Sequence, residues 1–116
     1  MERDMDLVRK LLLLAEQDGK SDELCKEYGD KQVAGHIAIM IDAGLIKGAV
    51  ANGQTGKPIA AEIIRLTWAG HEFLDNARND TIWKKVKKKI SDKSMSVSFD
   101  IIASLLKSIV RKTVDI

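Results

Sequence analysis

Length, composition and charge exclude several classes of protein before any motif is considered. The chain has 116 residues, 45% of them hydrophobic and 31% charged, which fits one globular domain and excludes a long disordered or low-complexity protein. Its 19 basic and 17 acidic side chains leave a formal net charge of +2, which by itself does not indicate a nucleic-acid-binding protein.

The first predicted element is a helix near the start of the chain. Apolar side chains recur at about 100° per residue between residues 7 and 15, which predicts an amphipathic helix that is ended by Gly19. Residues 18–29 fit either one short helical turn at 22–28 or an irregular, strand-like crossing, and the sequence alone leaves both alternatives open.

A second helix is predicted from Asp30 to Ala43. Asp30 can cap this helix by accepting hydrogen bonds from the free amides of its first turn, and Gly44 can supply the left-handed residue after its last turn. The side chains predicted to face the core are Val33, Ala34, Ile37, Met40 and Ile41.

After this helix the sequence takes on the pattern of β-structure. Two β-compatible segments, 45–51 and 59–66, flank a turn that contains an Asn-Gly pair and a second glycine, which predicts a β-hairpin. We expect both Gly53 and Gly56 to adopt positive φ angles in the tip of this hairpin.

Two further helices are predicted directly after the hairpin. Thr67 is the expected cap of the first, and either Asn79 or Asp80 caps the second, over residues 80–90. The second of these helices carries Trp83 on its apolar face and lysines elsewhere.

Ser98 is the expected cap of a last helix over residues 98–113. Four apolar side chains of this helix form a stripe that can bind a second copy of the chain, which would make the protein a homodimer. The same stripe can instead cover the core of its own chain, and the sequence leaves both alternatives open. The four residues are Ile102, Leu105, Leu106 and Ile109.

This order of elements is typical of a winged helix with a helical C-terminal extension. We therefore expect a mostly α-helical fold with a small β-hairpin (α+β), forming one winged helix-turn-helix-like domain over residues 1–116 with its core at 4–79.

Two local patterns support this fold. Residues 41–46 have the form of the exit from a recognition helix into the wing, and residues 66–74 have the form L-T-x-x-G-x-x-x-L, in which Gly70 lets the helix approach the body closely.

Several motifs together resemble one protein family. The chain is similar over nearly its whole length to an uncharacterised bacterial and phage family that is known as a domain of unknown function. The resemblance implies a small winged-helix-like protein, often from phages or integrated elements, and it implies no catalytic residues. The matching motifs are Met5-Asp6-Leu7-Val8-Arg9-Lys10, His36-Ile37, Ala43-Gly44-Leu45-Ile46, Arg65 to Asp75, Arg78 to Trp83 and Ser98-Phe99.

No motif indicates an enzyme, a metal site or a cofactor. His71-Glu72 begins like the zinc-binding helix of a metalloprotease, but Asp75 stands where that helix needs a second histidine. Cys25 could act as a nucleophile with His36 or His71 as its base, but the sequence shows no third residue that would orient such a pair. We therefore expect no catalytic activity and no cofactor.

Localisation follows from similar exclusions. No apolar run approaches the ~18 residues of a membrane-spanning helix, and the sequence begins with too many charges for a signal peptide. The single cysteine cannot form an internal disulfide. We expect a cytoplasmic protein without a membrane partner.

Double-stranded DNA is the first candidate partner. In a winged helix the helix before the wing usually enters the major groove, and the wing contacts the backbone. On that helix Gln32 and His36 can contact base edges and Lys31 a phosphate, while the wing offers Lys57. Ile39 lies on the same predicted face and is expected to be exposed, which favours a protein interface instead.

A lysine cluster on the helix over residues 80–90 is a second candidate for phosphate contacts. The alternative is a solvated helix face whose cations suit a helix C-terminus. Trp68 and Trp83 can in principle stack on bases, but we expect both to be core residues. The lysines are Lys84, Lys85, Lys87, Lys88 and Lys89.

The sequence thus leads to two hypotheses about function. The first is a dimeric winged-helix DNA-binding protein, a transcriptional regulator of phage or mobile-element origin. The alternative is a winged-helix protein-interaction module, such as a phage protein that binds and modulates a host protein.

Overall fold

The computed structural model of the chain describes residues 3–92 and 98–114. Within these residues it confirms a mostly helical α+β fold with one antiparallel two-stranded sheet. The chain divides into two compact units, Met1–His71 and Glu72–Ile116. The elements are α1 Met5–Glu16, α2 Asp22–Tyr28, α3 Asp30–Asp42, β1 Ile46–Asn52, β2 Pro58–Leu66, α4 Trp68–Ala77, α5 Asp80–Asp92 and α6 Phe99–Val114.

The core of the first unit is built from α1, α3 and the base of the hairpin. The helical spacing of the sequence explains why one face of α1 is buried, and four of the five core positions expected on α3 are buried as well. The fifth, Ile41, is half-buried. The buried side chains of these elements include Leu7, Val8, Leu11, Leu12, Val33, Ala34, Ile37, Met40, Leu45, Ile46 and Leu66.

The residue that ends helix α1 is Asp18, one position before the Gly19 predicted from the sequence. Asp18, not Gly19, takes the left-handed conformation, with φ +54°. The Gly19 amide donates to the Leu14 carbonyl at 3.0 Å and the Asp18 amide to the Ala15 carbonyl at 3.3 Å, which is the hydrogen-bond pattern of a Schellman motif. Asp18 therefore closes the helix.

The segment after α1 is a short helix, α2, rather than a strand-like crossing. Lys10 of α1 ties the two helices together, because its ammonium group donates to the Tyr28 hydroxyl at 2.9 Å and to the Glu27 carboxylate at 3.3 Å. These contacts raise the pKa of Lys10, the Tyr28 hydrogen bond most.

Glycines flank helix α3, with Gly29 directly before it and Gly44 two residues after its end. The expectation that Asp30 caps it is wrong, because Asp30 is its first residue and the capping position is Gly29, with φ +92°. The expectation for Gly44 is confirmed, since it has φ +76° and follows the last turn of the helix.

The hairpin forms where it was predicted, with the register Ile46↔Leu66 at its base and Asn52↔Pro58 near its tip. Gly56 has φ +78°, as expected, whereas the expectation for Gly53 is wrong because its φ is not positive. The register shifts next to Gly48, where an added Cβ would overlap the Glu62 carbonyl oxygen.

Thr67 joins the hairpin to α4 as predicted. Its hydroxyl accepts from the Gly70 amide at 3.0 Å, and it donates to the Gly44 carbonyl oxygen. A Cβ at Gly70 would overlap the Leu45 carbonyl oxygen, which explains why the L-T-x-x-G pattern needs glycine there.

In the second unit, side-chain caps begin both α5 and α6. Asn79, rather than Asp80, caps α5 by accepting from the Ile82 amide at 3.1 Å, and Ser98 accepts from the Ile101 amide at 3.3 Å. The Phe73 and Phe99 rings pack edge to face with centroids 6.3 Å apart. Over the residues described, no helix is long and apolar enough to cross a membrane.

Candidate partner-binding surfaces

The structure places His36 inside the protein, so the expectation that it faces a DNA groove is wrong. Its side chain is 0% exposed. Nε2 accepts from the Asp4 backbone amide at 2.8 Å, and Nδ1 donates to the Gln32 carbonyl at 2.8 Å. Residues 33–37 are all buried, and five consecutive helical residues point in every direction around the helix axis. Helix α3 is therefore enclosed along this turn.

The rest of the α3 surface offers little for base recognition. Lys31 is exposed, whereas Gln32 and Ile39 are half-buried, so the expectation that Ile39 is exposed is also wrong. The exposed charges at the two ends of the helix include Asp30 and Asp42, which repel a phosphate backbone.

The β-hairpin exposes several aliphatic side chains beside the carboxylate of Glu62. Lys57 is exposed at its tip, and Lys47 pairs in register with Arg65 at its base. Between these cations the largest exposed side chains are Ile59 and Ile64, and Ile64 is 62% exposed. Alanines Ala49, Ala51 and Ala60 are the other exposed apolar residues of the strands.

The lysine cluster on α5 is the most concentrated charge on the described surface. Lys84, Lys85, Lys88 and Lys89 are exposed and Lys87 is half-buried. The opposite side of the helix is buried through Ile82, Trp83 and Val86, so the amphipathic pattern predicted for this helix is confirmed.

Helix α6 adds a second basic face, which was not predicted as a site from the sequence. Its exposed cations and hydroxyls recur at helical spacing, and this spacing was the signal that could have identified them. They line an open groove of about 370 Å³. These residues are Ser104, Lys107, Ser108, Arg111 and Lys112.

Formal charge is divided unevenly between the two units. Up to His71 the sequence has nine basic and eleven acidic side chains, whereas from Glu72 onward it has ten basic and six acidic ones. Any favourable long-range field for a polyanion therefore comes from the second unit, not from the unit that contains α3 and the β-hairpin.

The apolar stripe of α6 is used inside the chain. Ile102, Leu106 and Ile109 are buried in a single copy, and Leu105 is half-buried. Most of the stripe is therefore covered within a single copy, which favours the second of the two predicted alternatives, and the homodimer stays a prediction.

Trp68 is the main surprise on the surface of the first unit. Trp83 is 2% exposed, as expected for a core residue, but Trp68 is 79% exposed, so the same expectation for Trp68 is wrong. The signal was in the sequence, because Trp68 lies two residues, about 200°, from the inward-facing Gly70. It borders a cleft of about 500 Å³ lined by Ala15, Glu16, Asp18, Arg65, Leu66, Trp68 and His71.

The residues considered for catalysis do not assemble into a site. His71 and Glu72 are exposed, and the Asp75 carboxylate accepts from Arg78 at 3.1 Å. Among the described residues no three side chains of the metal-ligating types lie close enough to hold an ion. Burial raises the pKa of the Cys25 thiol above its ordinary value, which lowers its thiolate fraction near neutral pH.

Comparison with known proteins agrees with the resemblance seen in the sequence. A family model described as "Hypothetical protein (DUF2513)" matches residues 2–96. An uncharacterized protein of Haemophilus influenzae is 32% identical over 115 residues, which cover 95% of this chain and 96% of that relative. No solved structure matches the chain. The similarity to a family of unknown function is thereby confirmed.

Proposed function

We propose that this chain, which belongs to the DUF2513 family of hypothetical proteins, is a winged-helix protein that binds double-stranded DNA mainly through α5. The observation that carries the proposal is the exposed lysine face formed by Lys84, Lys85, Lys88 and Lys89. Lysines that neutralise phosphates supply the sequence-independent part of DNA affinity.

The lysine face has an electrostatic cost that a polyanion would remove. Lys84 and Lys88, and likewise Lys85 and Lys89, are four residues apart, and like charges at that spacing destabilise a helix by about 0.2–0.5 kcal/mol per pair. From Thr81 to Ser91 the sequence has no acidic residue, so Asp80, four residues before Lys84, offsets only part of this repulsion. The phosphates of a DNA backbone would lie close to these ammonium groups, and their attraction to the lysines would outweigh the repulsion between the lysines.

The winged-helix assignment is supported by the order of the elements in the first unit. Three helices precede a two-stranded hairpin, and Gly44, Thr67 and Gly70 make the connections that the pattern requires. Because His36 is buried and α3 ends in acidic residues, base recognition by α3 is weak. The expected binding mode is therefore tolerant of sequence, with α6 able to add phosphate contacts through Lys107 and Arg111.

The proposal also covers the origin of the protein and the alternative that its partner is another protein. The resemblance seen in the sequence supports a role in a phage or an integrated element, where a DNA-binding protein would act as a regulator. The protein-interaction alternative is supported by a different observation, the exposed Trp68 at the edge of a cleft.

The test compares two triple variants with the same loss of charge. Replacing Lys85, Lys88 and Lys89 with glutamine should weaken binding to duplexes of different sequence about equally. It should also flatten the slope of log affinity against log salt by up to ~0.9 per lost phosphate contact. The control replaces Lys20, Lys26 and Lys47, exposed lysines of the first unit, and should leave the slope close to that of the wild type.

Fluorescence anisotropy of labelled duplexes at several salt concentrations measures both quantities. The proposal is overturned if the wild-type protein has no affinity for DNA at low salt. It is also overturned if the control triple variant loses as much affinity and slope as the α5 triple variant.

A further inference from the structure

An exposed tryptophan beside a cleft is an uncommon feature of a surface. Trp68 is 79% exposed, the largest value among the large hydrophobic side chains that the structure describes. Tryptophan is usually well covered, and leaving its rings in water forgoes the burial of a large apolar area. Where tryptophan is exposed on a binding surface, it is often one of the few residues that dominate affinity.

The cleft beside Trp68 has an apolar floor and a charged rim. Ala15 and Leu66, both buried, lie at its base, and the rim carries the carboxylates of Glu16 and Asp18 near the end of α1. Its volume of about 500 Å³ falls within the usual range of ligand pockets, roughly 300–1,000 Å³. All of its lining residues belong to the first unit.

We infer that this cleft binds a lysine or arginine side chain presented by a partner protein. The aliphatic stem of such a side chain can cover Ala15 and Leu66, while its cationic head meets the indole of Trp68 and the rim carboxylates. The negative pole of α1 reinforces this preference, because the last turn of α1 has no basic residue and ends at Glu16.

The other charged side chains of the cleft do not reverse its preference. Arg65 donates through Nη1 to the Leu66 carbonyl at 3.1 Å, so part of its guanidinium group is already engaged. The lining of the cleft includes two carboxylates, of Glu16 and Asp18, against the one guanidinium of Arg65, besides His71. A nucleic-acid partner would bring its phosphates toward those carboxylates, on a unit whose acidic side chains outnumber its basic ones. Charge complementarity thus favours a basic protein segment.

This site is independent of the proposed DNA-binding face. The cleft lies in the first unit, whereas the lysine face of α5 lies in the second. Substitutions at the cleft should not change DNA affinity, and lysine substitutions on α5 should not change peptide binding, so the two proposals fail separately.

The probes are pools of six-residue peptides in which the third position is fixed as lysine, arginine, leucine or glutamate and the other positions are mixed. Binding is followed by tryptophan emission, which responds at Trp68 because Trp83 is already buried. We expect the lysine and arginine pools to shift and quench the emission, and the glutamate pool to leave it unchanged.

Two variants separate the ring from the charges. Trp68→Ala should weaken binding of the lysine pool roughly tenfold or more, measured by calorimetry because the reporter is gone. Glu16→Gln/Asp18→Asn should weaken the lysine pool several-fold and remove its advantage over the leucine pool. Asparagine is a suitable replacement at Asp18 because it tolerates the left-handed conformation observed there.

Ile101→Ala is the matched control, because Ile101 is an exposed apolar residue of the second unit, 47% exposed, and does not line the cleft. It should bind the lysine pool like the wild type. The inference is overturned if no pool binds, if Trp68→Ala binds as well as the wild type, or if the glutamate pool is preferred. It is also overturned if single-stranded DNA rather than peptide alters the Trp68 emission, or if Trp68→Ala acts by abolishing self-association.

Discussion

His36 joins α3 to the beginning of α1 through both of its ring nitrogens. A backbone amide can only donate, so Nε2 accepts from Asp4 and the ring proton is on Nδ1, which donates to Gln32. The two bonded partners, Asp4 and His36, are 32 positions apart in the sequence. His36 therefore links α3 to the start of α1, a contact that the sequence near either helix does not predict.

The role of His36 predicts a loss of stability rather than a change in DNA preference when it is replaced. His36→Leu leaves the Asp4 amide without its acceptor, which should lower the free energy of unfolding by about 1–3 kcal/mol. Urea denaturation measures this change. Gln32→Ala is the control and should stay within about 0.5 kcal/mol of the wild type, because Gln32 bonds to His36 through its backbone carbonyl. Equal destabilisation by the two variants would contradict this role.

At the scale of elements, the hairpin tip shows how one backbone angle decides which glycine is required. Gly56 has φ +78°, where a Cβ costs about 1–2 kcal/mol, whereas Gly53 has no positive φ. A Cβ at Gly53 would lie 3.0 Å from Cγ2 of Ile59, which is an exposed side chain that can move. The two glycines therefore differ in what substitution costs.

We expect Gly56→Ala to destabilise the hairpin by about 1–2 kcal/mol and Gly53→Ala to destabilise it less. Amide hydrogen exchange in β1 and β2 measures the local effect, because it reports opening of the hairpin separately from global unfolding. Gly56→Asn is the control and should recover part of the loss, since asparagine tolerates a positive φ better than alanine. A larger effect at Gly53 than at Gly56 would contradict the assignment of the positive φ to Gly56.

The elements that sequence alone predicted well are those whose signals are local. Thr67, Asn79 and Ser98 each cap a helix through the amide three residues away, so the capping residue and its partner are read from one short segment. The hairpin likewise follows from its turn and flanking strands. These features depend on neighbours in sequence and not on the rest of the fold.

The candidate site on α3 was predicted less well because its surroundings come from distant segments. A helical wheel assumes one buried face, but α1, α2 and the hairpin all pack against α3, so residues 33–37 are enclosed. The expectation that Trp68 is a core residue was wrong for a local reason. Tryptophan as a residue type favours burial, but Trp68 lies about 200° around the helix from the inward-facing Gly70 and therefore faces outward. Position decided the outcome in both cases.

At the scale of the whole molecule, the two units differ in charge and in the surfaces they present. The first unit has more acidic than basic side chains and carries the Trp68 cleft, while the second has an excess of basic side chains on α5 and α6. A balanced overall charge of +2 hides this difference. The formal charge of the complete chain is therefore a poor guide to its partners, and the charge of each unit is a better one.

The apolar stripe of α6 gives the last prediction, because its role differs between a core helix and a dimer helix. Leu106 is 0% exposed in a single copy, so Leu106→Asp places a carboxylate in the core and should cost at least about 4 kcal/mol, enough to unfold a marginally stable protein. Leu105→Asp is the matched control, because Leu105 is half-buried on the same stripe and should remain folded. Circular dichroism measures the helix content of each variant, and light scattering measures its mass. Folded monomers of Leu106→Asp derived from a dimeric wild type would show instead that this stripe joins two copies of the chain.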